Sequence, residues 1–88
     1  LVRSLAAELG PDGITANAVA PGSTDTSMLT ASADVYGLAA ADEFAVHHLI
    51  QGLVTPAQVA AMITWLCGPQ SAAVTGALLP VDNGMTAR

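Results

Sequence analysis

Two short apolar runs, Ile14–Ala20 and Gly76–Val81, stand on either side of one strongly bounded helical segment, and no other feature of the 88 residues constrains the fold as much. Thr55 stands where a helix cap belongs, Pro56 takes the first helical position, where its missing N–H is no loss, and Gln58 completes a capping box. Val59, Met62, Ile63 and Leu66 then share one apolar face, flanked by Trp65, until Gly68-Pro69 stops the helix. Ile14–Ala20, with neither strict alternation nor helix caps, is predicted as a strand buried on both faces, as parallel sheets require. Gly76–Val81 is predicted as a second strand that Pro80 confines to the edge or end of a sheet. Ahead of both, Leu1, Leu5 and Leu9 recur at helical spacing up to a stop at Gly10-Pro11-Asp12-Gly13. The order helix, strand, long excursion, helix, strand predicts an α/β fold built on a right-handed βαβ crossover.

Composition says what kind of chain holds these elements. Of its residues 52% are hydrophobic and 10% charged, against roughly 25% charged in an average soluble domain. That is the composition of an interior without the surface to cover it. Because the helix Leu1–Leu9 has a clear end and no start signal, the sequence is expected to be part of a larger protein. A net charge of −5, with Arg3 and Arg88 as the cations and no Lys, cannot supply the basic patch that a phosphate backbone requires, so nucleic acid is excluded as a partner. No apolar run approaches the roughly 20 residues of a membrane span, and no basic-then-apolar leader opens the sequence. A soluble, cytoplasmic protein is therefore expected. Cys67 stands alone, which fits a reducing compartment, and is read as a small buried hydrophobe.

The candidate site lies where the first run ends. In Asn17-Ala18-Val19-Ala20-Pro21-Gly22-Ser23-Thr24-Asp25-Thr26 an apolar strand stops at Pro-Gly and becomes small and hydroxylated. Ligands of open α/β sheets bind beyond the carboxyl ends of strands. Gly22 would let another group approach the backbone, while Ser23, Thr24 and Thr26 offer hydroxyls and N–H groups. A plain Ser/Thr turn bonding its own backbone accounts for the same residues equally well. Residues 27–52 form a mixed segment, too apolar for a linker, with helical pieces expected around Ser32–Leu38 and Asp42–Ile50. Adjacent His47 and His48 point about 100° apart on a helix and cannot grip one metal, so a solvated or surface-contact role is expected. Asp42 and Glu43 fit compensation of a helix dipole. Ser32, His48 and Asp34 supply the residue types of a hydrolase triad, but no nucleophile elbow accompanies them.

LVRSLAAELGPDGITANAVAPG, the Pro-Gly-x-x-x-Thr loop, TPAQVAAMITWLCGP and SAAVTGALLPVDNG follow one another along the whole chain. In that order they resemble the C-terminal third of a short-chain dehydrogenase/reductase. The resemblance implies a Rossmann-like, doubly wound parallel sheet, of which Ile14–Ala20 is strand six and Gly76–Val81 strand seven. The parent protein it implies is an NAD- or NADP-dependent oxidoreductase that interconverts an alcohol and a ketone. Pro21 and Gly22 match the turn under the nicotinamide, Thr24 the position whose backbone meets the carboxamide, and Thr26 the Thr that bonds the carboxamide or the nearby phosphate. Such contacts orient the ring for hydride transfer. Residues 27–52 match the substrate lid, where Met28, Leu29, Tyr36 and Phe44, with Val35 and Leu38, would either face an apolar substrate or pack the lid onto its own protein. The family's tetramers imply self-association through the last helix and strand.

Within the family, the lid would suit a 3-oxoacyl-carrier reductase or a steroid or terpene alcohol dehydrogenase, and ASADVYGL and EFAVHHLI are similar to the mycofactocin-associated branch with tightly held NAD. The sequence departs from the family pattern at Gly52, where Arg is frequent and whose loss loosens the lid's anchor, and at Asn83, where a Gly is frequent and Asn is a mild change. Tyr36 is not the catalytic Tyr, since Ala40 stands where its Lys would be. Without the Gly-rich phosphate turn and the Ser, Tyr and Lys that would polarise a carbonyl, these 88 residues hold no catalyst and are expected to be inactive and poorly folded alone. A non-catalytic oligomerisation module and an inactive gene remnant are the other readings.

Overall fold

The structure is a computed structural model that describes residues 1–35 and 46–87. Helix α1 (Val2–Leu9) runs into one 3-10 turn at Gly10–Asp12, which Gly13 closes through an N–H to the Gly10 carbonyl at 2.9 Å. Strand β1 (Ala18–Pro21) leads to helix α2 (Ser27–Val35), then helix α3 (Pro56–Leu66) and strand β2 (Leu78–Val81). The two strands pair in parallel, with Ala18 opposite Leu78 and Pro21 opposite Val81. The crossover is therefore present, and α3 packs against both strands.

The strands are shorter than Ile14–Ala20 and Gly76–Val81, for a local chemical reason. Before Ala18 the side chain of Asn17 replaces the ladder: its Nδ2 donates to the Val74 carbonyl at 2.9 Å and its Oδ1 accepts from the Ala77 N–H at 3.1 Å. Beside it the Ala16 N–H donates to the Thr75 hydroxyl at 3.1 Å. One backbone bond, the Gly76 N–H on the Ala16 carbonyl at 2.8 Å, stands beside these, and the ladder proper runs from the Ala18 N–H on the Ala77 carbonyl at 2.9 Å to the Gly22 N–H on the Val81 carbonyl at 3.0 Å. Carbonyls 77 and 81 thus face β1, so the nitrogen of Pro80, at alternate spacing, points to the other edge, where a Pro costs no ladder bond.

Helix α3 begins as its sequence dictates. The Gln58 N–H donates to the Thr55 hydroxyl at 3.2 Å, and the Thr55 N–H donates to Gln58 Oε1 at 2.9 Å. At its other end the buried Ser71 hydroxyl is shared between the carbonyls of Leu66, 2.8 Å, and Gly68, 3.1 Å, satisfying acceptors that a helix end leaves open. Val59, Met62 and Leu66 are half-buried against the sheet, but Ile63 and Trp65 stand 47% and 42% exposed. Cys67 is exposed too, correcting its reading as a buried hydrophobe. Ala18–Ala20 are only half-buried and Pro21 is exposed, where burial on both faces was expected; among the described residues α3 is the helix packed on this sheet.

Among the described residues Ala6, Ala33 and Val54 are the buried apolar side chains. The chain exposes 5968 Å², where a compact monomer of 8.8 kDa exposes roughly 4,800 Å². The excess is the structural counterpart of an interior composition without a surface. No helix among the described residues is long and apolar enough to cross a membrane.

Candidate functional site

The loop beyond β1 is held at nearly every residue. Gly22 lies so close to the end of β2 that a Cβ there would meet the Asp82 Cα at 2.8 Å, its Cβ at 2.9 Å and His48 Nε2 at 3.0 Å. The group that approaches this glycine is therefore the protein itself. Ser23 gives its carbonyl to the Val54 N–H, 2.9 Å, and Asp25 gives its N–H to the Val54 carbonyl, 2.8 Å, so Thr24 and Val54 form a parallel bridge. In such a bridge the N–H and C=O of the central residue face away from the partner. The Thr24 backbone is thus turned away from Val54, while its hydroxyl donates back to the Gly22 carbonyl at 2.9 Å, as a plain Ser/Thr turn would have it. Thr26 caps α2, its hydroxyl oxygen accepting the Leu29 N–H at 3.1 Å. That cap starts α2 at Ser27, five residues ahead of the helical piece expected from Ser32.

Two buried polar side chains brace the loop from behind. Asp82 Oδ1 accepts the Gly84 N–H at 3.0 Å, and its Oδ2 accepts the Thr86 hydroxyl at 2.7 Å and N–H at 3.1 Å. The Thr86 hydroxyl above all, with these two N–H groups, holds the Asp82 carboxyl below its ordinary range against the opposing effect of burial. His48, 5% exposed, reaches the Gly52 carbonyl with Nδ1 at 2.9 Å, so Nδ1 carries the proton, and Nε2 accepts the Ser23 N–H at 3.3 Å. This corrects the expectation of a solvated or surface-contact His48; His47 is the exposed member of the pair. Nothing in the sequence near His48 signals the burial, because its partners come from β1's end and from its own return turn.

Gly52 also ties its own turn to the end of β2. Its carbonyl accepts from both His48 Nδ1 and Asn83 Nδ2, the latter at 3.1 Å. Its φ of +99° suits glycine, and an Arg there would be strained. The Asn83 carbonyl receives the N–H groups of Leu49, 2.8 Å, and Ile50, 3.0 Å. At φ 51° Asn83 occupies the left-handed region that Asn tolerates. Residues 48–54 are thereby stitched to β1's end and β2's end together.

In front of the loop a cleft of ≈ 350 Å³ is lined by Pro21, Gly22, Ser23, Thr24, Thr26, Met28, Leu29, Ser32 and Met85. All four residues that the resemblance placed at a cofactor, and two of the four lid residues, meet there. Tyr36 and Phe44 lie outside the described residues, as do Leu38, Asp42 and Glu43. Met85, which the sequence reading missed, belongs to the turn after β2. Small hydroxylated residues stand with the apolar Met28, Leu29 and Met85, and the volume lies at the lower end of ligand pockets. The Thr26 proton finds no acceptor among the described residues, because the oxygen serves only as acceptor to the cap. No group of three or more metal-ligating side chains occurs among the described residues. A hydrolase triad is not assembled either: Ser32 donates to the Met28 carbonyl at 3.0 Å and both His48 nitrogens are engaged.

A parallel strand pair with a helical crossover, and a hydroxyl-lined cleft beyond the strand ends, defines a protein of the open-sheet α/β class. The chain belongs to the short-chain dehydrogenase/reductase family: the family model described as Enoyl-(Acyl carrier protein) reductase matches residues 1–86. It is 38% identical over 85 residues to the short-chain reductase protein NovJ of Streptomyces niveus, covering 93% of this chain and 32% of NovJ. It is also 38% identical over 85 residues to the 3-oxoacyl-acyl-carrier-protein reductase MabA of Mycobacterium tuberculosis, covering 97% of this chain and 33% of MabA. The structure of ElxO with NADP bound superposes with a TM-score of 0.85 at 31% identity, over 99% of this chain and 35% of ElxO. The chain spans about a third of the length of the curated relatives it matches.

Proposed function

We propose that these residues are the C-terminal third of an NAD(P)-dependent oxidoreductase that interconverts an alcohol and a ketone, supplying its nicotinamide loop and part of its substrate lid. The observation that carries this reading is the meeting of Pro21, Gly22, Thr24 and Thr26 in one cleft beyond β1. Bound there, the cofactor would supply the hydride. Thr26 would donate its free proton to the carboxamide or a phosphate oxygen, and the outward-turned Thr24 backbone would meet the carboxamide. Pro21 and Gly22 would lie against the ring, with Met28 and Leu29 covering its other side and excluding water. Fixing the ring sets which of its faces is presented and the distance to the acceptor carbon. Tyr36 and Phe44 complete the lid in this reading, and the protein is cytoplasmic.

The bound NADP of ElxO supports the cofactor class, and the surface left open supports a covering by the rest of the fold. Self-association through α3 and β2 is supported by the exposure of Trp65 and Leu78, 42% and 63%. Calorimetric titration of the full-length protein carrying these residues with NADH and with NADPH tests the proposal. Saturable binding of one or both is expected; binding of neither would overturn it and favour a non-catalytic oligomerisation module or a gene remnant.

A further inference from the structure

We infer that His48 is the positioning residue that fixes the loop for its ligand, a role that rests on the cofactor reading above. Besides the Thr24 hydroxyl on the Gly22 carbonyl, three bonds hold the backbone at Gly22 and Ser23: the Gly22 N–H on the Val81 carbonyl, the Val54 N–H on the Ser23 carbonyl, and the Ser23 N–H on His48 Nε2. The first two are strand-like backbone bonds. The third is made by a side chain that has itself been locked, since Nδ1–H on the Gly52 carbonyl at 2.9 Å fixes both the tautomer and the ring plane. The ring is buried and lies where a Gly22 Cβ would be 3.0 Å from Nε2. It therefore backs the same two residues that line the cleft. Gly22 and Ser23 both belong to that lining, and a shift of about an ångström in the peptide that joins them is enough to spoil an oriented reaction. His48 touches no residue of the cleft other than this pair through any bond described, so its effect on a ligand passes through the loop.

Two replacements separate the functions of the ring nitrogens. The amide of Asn reaches the Nδ1 position and can still donate to Gly52, but offers no acceptor to Ser23. The longer Gln brings its oxygen to the Nε2 position and can accept the Ser23 N–H. In the full-length protein, His48→Asn is expected to weaken NADH or NADPH binding by roughly three- to tenfold, the range of one lost hydrogen bond. His48→Gln is expected to restore it to within about twofold. Hydrogen exchange at the Ser23 amide should be faster in His48→Asn and near normal in His48→Gln. Equal behaviour of the two variants in both readouts, whether impaired or unimpaired, would overturn the assignment. If the unmutated protein binds neither cofactor, the functional reading fails, and Ser23 exchange alone decides whether His48 positions the loop. If both variants fail to fold, the imidazole nitrogen resonances of the unmutated protein decide: a proton on Nδ1 supports the role, and a proton on Nε2 refutes it.

Discussion

A Cβ on Gly22 would stand 2.8 Å from the Cα of Asp82. The end of β1 and the end of β2 are pressed together at the one point where the first has no side chain. Gly22→Ala must therefore push backbone from backbone, and such overpacking costs about 1–3 kcal/mol. Chemical denaturation should give a lower midpoint with an unchanged slope, together with weaker cofactor binding. A midpoint equal to that of the unmutated protein would show that the approach is not tight in solution.

Asp82 makes stability depend on acid. Its folded pKa lies below the ordinary 3.8, chiefly through the Thr86 hydroxyl. The unfolded state then binds the proton more readily, so this contribution is fully present above about pH 4 and is lost as pH falls through the folded value. Thr86→Val removes the hydroxyl and raises the folded pKa toward the unfolded one. Melting temperatures recorded from pH 2 to pH 7 should show a shallower acid decline for the variant, and an identical decline would contradict this account.

In the proposed function Thr26 carries two duties that substitution can part. Its oxygen caps α2, and its proton is available to a ligand. Asp caps as well as Thr but donates nothing when ionised. Thr26→Asp should therefore keep the melting temperature within a few degrees and weaken cofactor binding about tenfold or more, while Thr26→Ser keeps both. Calorimetry on the two variants reads this directly, and full binding by Thr26→Asp would remove Thr26 from the site.

Asn17 replaces a stretch of ladder with one side chain, and Asn17→Ala loses both bonds to Val74 and Ala77. A cost of about 1–3 kcal/mol is expected, since two backbone groups lose their partners. Asn17→Asp keeps the acceptor alone and should fall between. A denaturation midpoint unaffected by Asn17→Ala would mean that water or a shifted register serves those groups equally well.

What the sequence disclosed was local or periodic. The Thr55–Gln58 capping box and the stop at Gly68-Pro69 follow from residues within a few positions of one another, the parallel pairing of the two strands follows from the order of the elements, and the structure has them as read. The end of β1 and the cleft-lining loop beyond it were legible because the residue types change abruptly at Pro21-Gly22. What stayed hidden involves residues far apart along the chain. Asn17 looks like one more small residue in a strand until Val74 and Ala77 stand beside it. His48 looks like half of an exposed pair until β1 ends next to it. Gly22 was read correctly as a place of close approach, but the approaching group was Asp82, which no local pattern announces. Cys67 and Ile63 misled in the opposite sense, since their apolar character predicts burial and both stand exposed.

The contact of Gly22 with Asp82 also sets a clock. Synthesis proceeds from the N-terminus at about 5–20 residues per second, so the sixty residues between them take roughly 3–12 s to appear. For that interval the hydroxylated loop exists without its backing, and Val81 is not yet there to receive the Gly22 N–H. The loop is thus shaped by a part of the chain made long after it, and a nascent protein halted between the two would carry the loop's residues without its form.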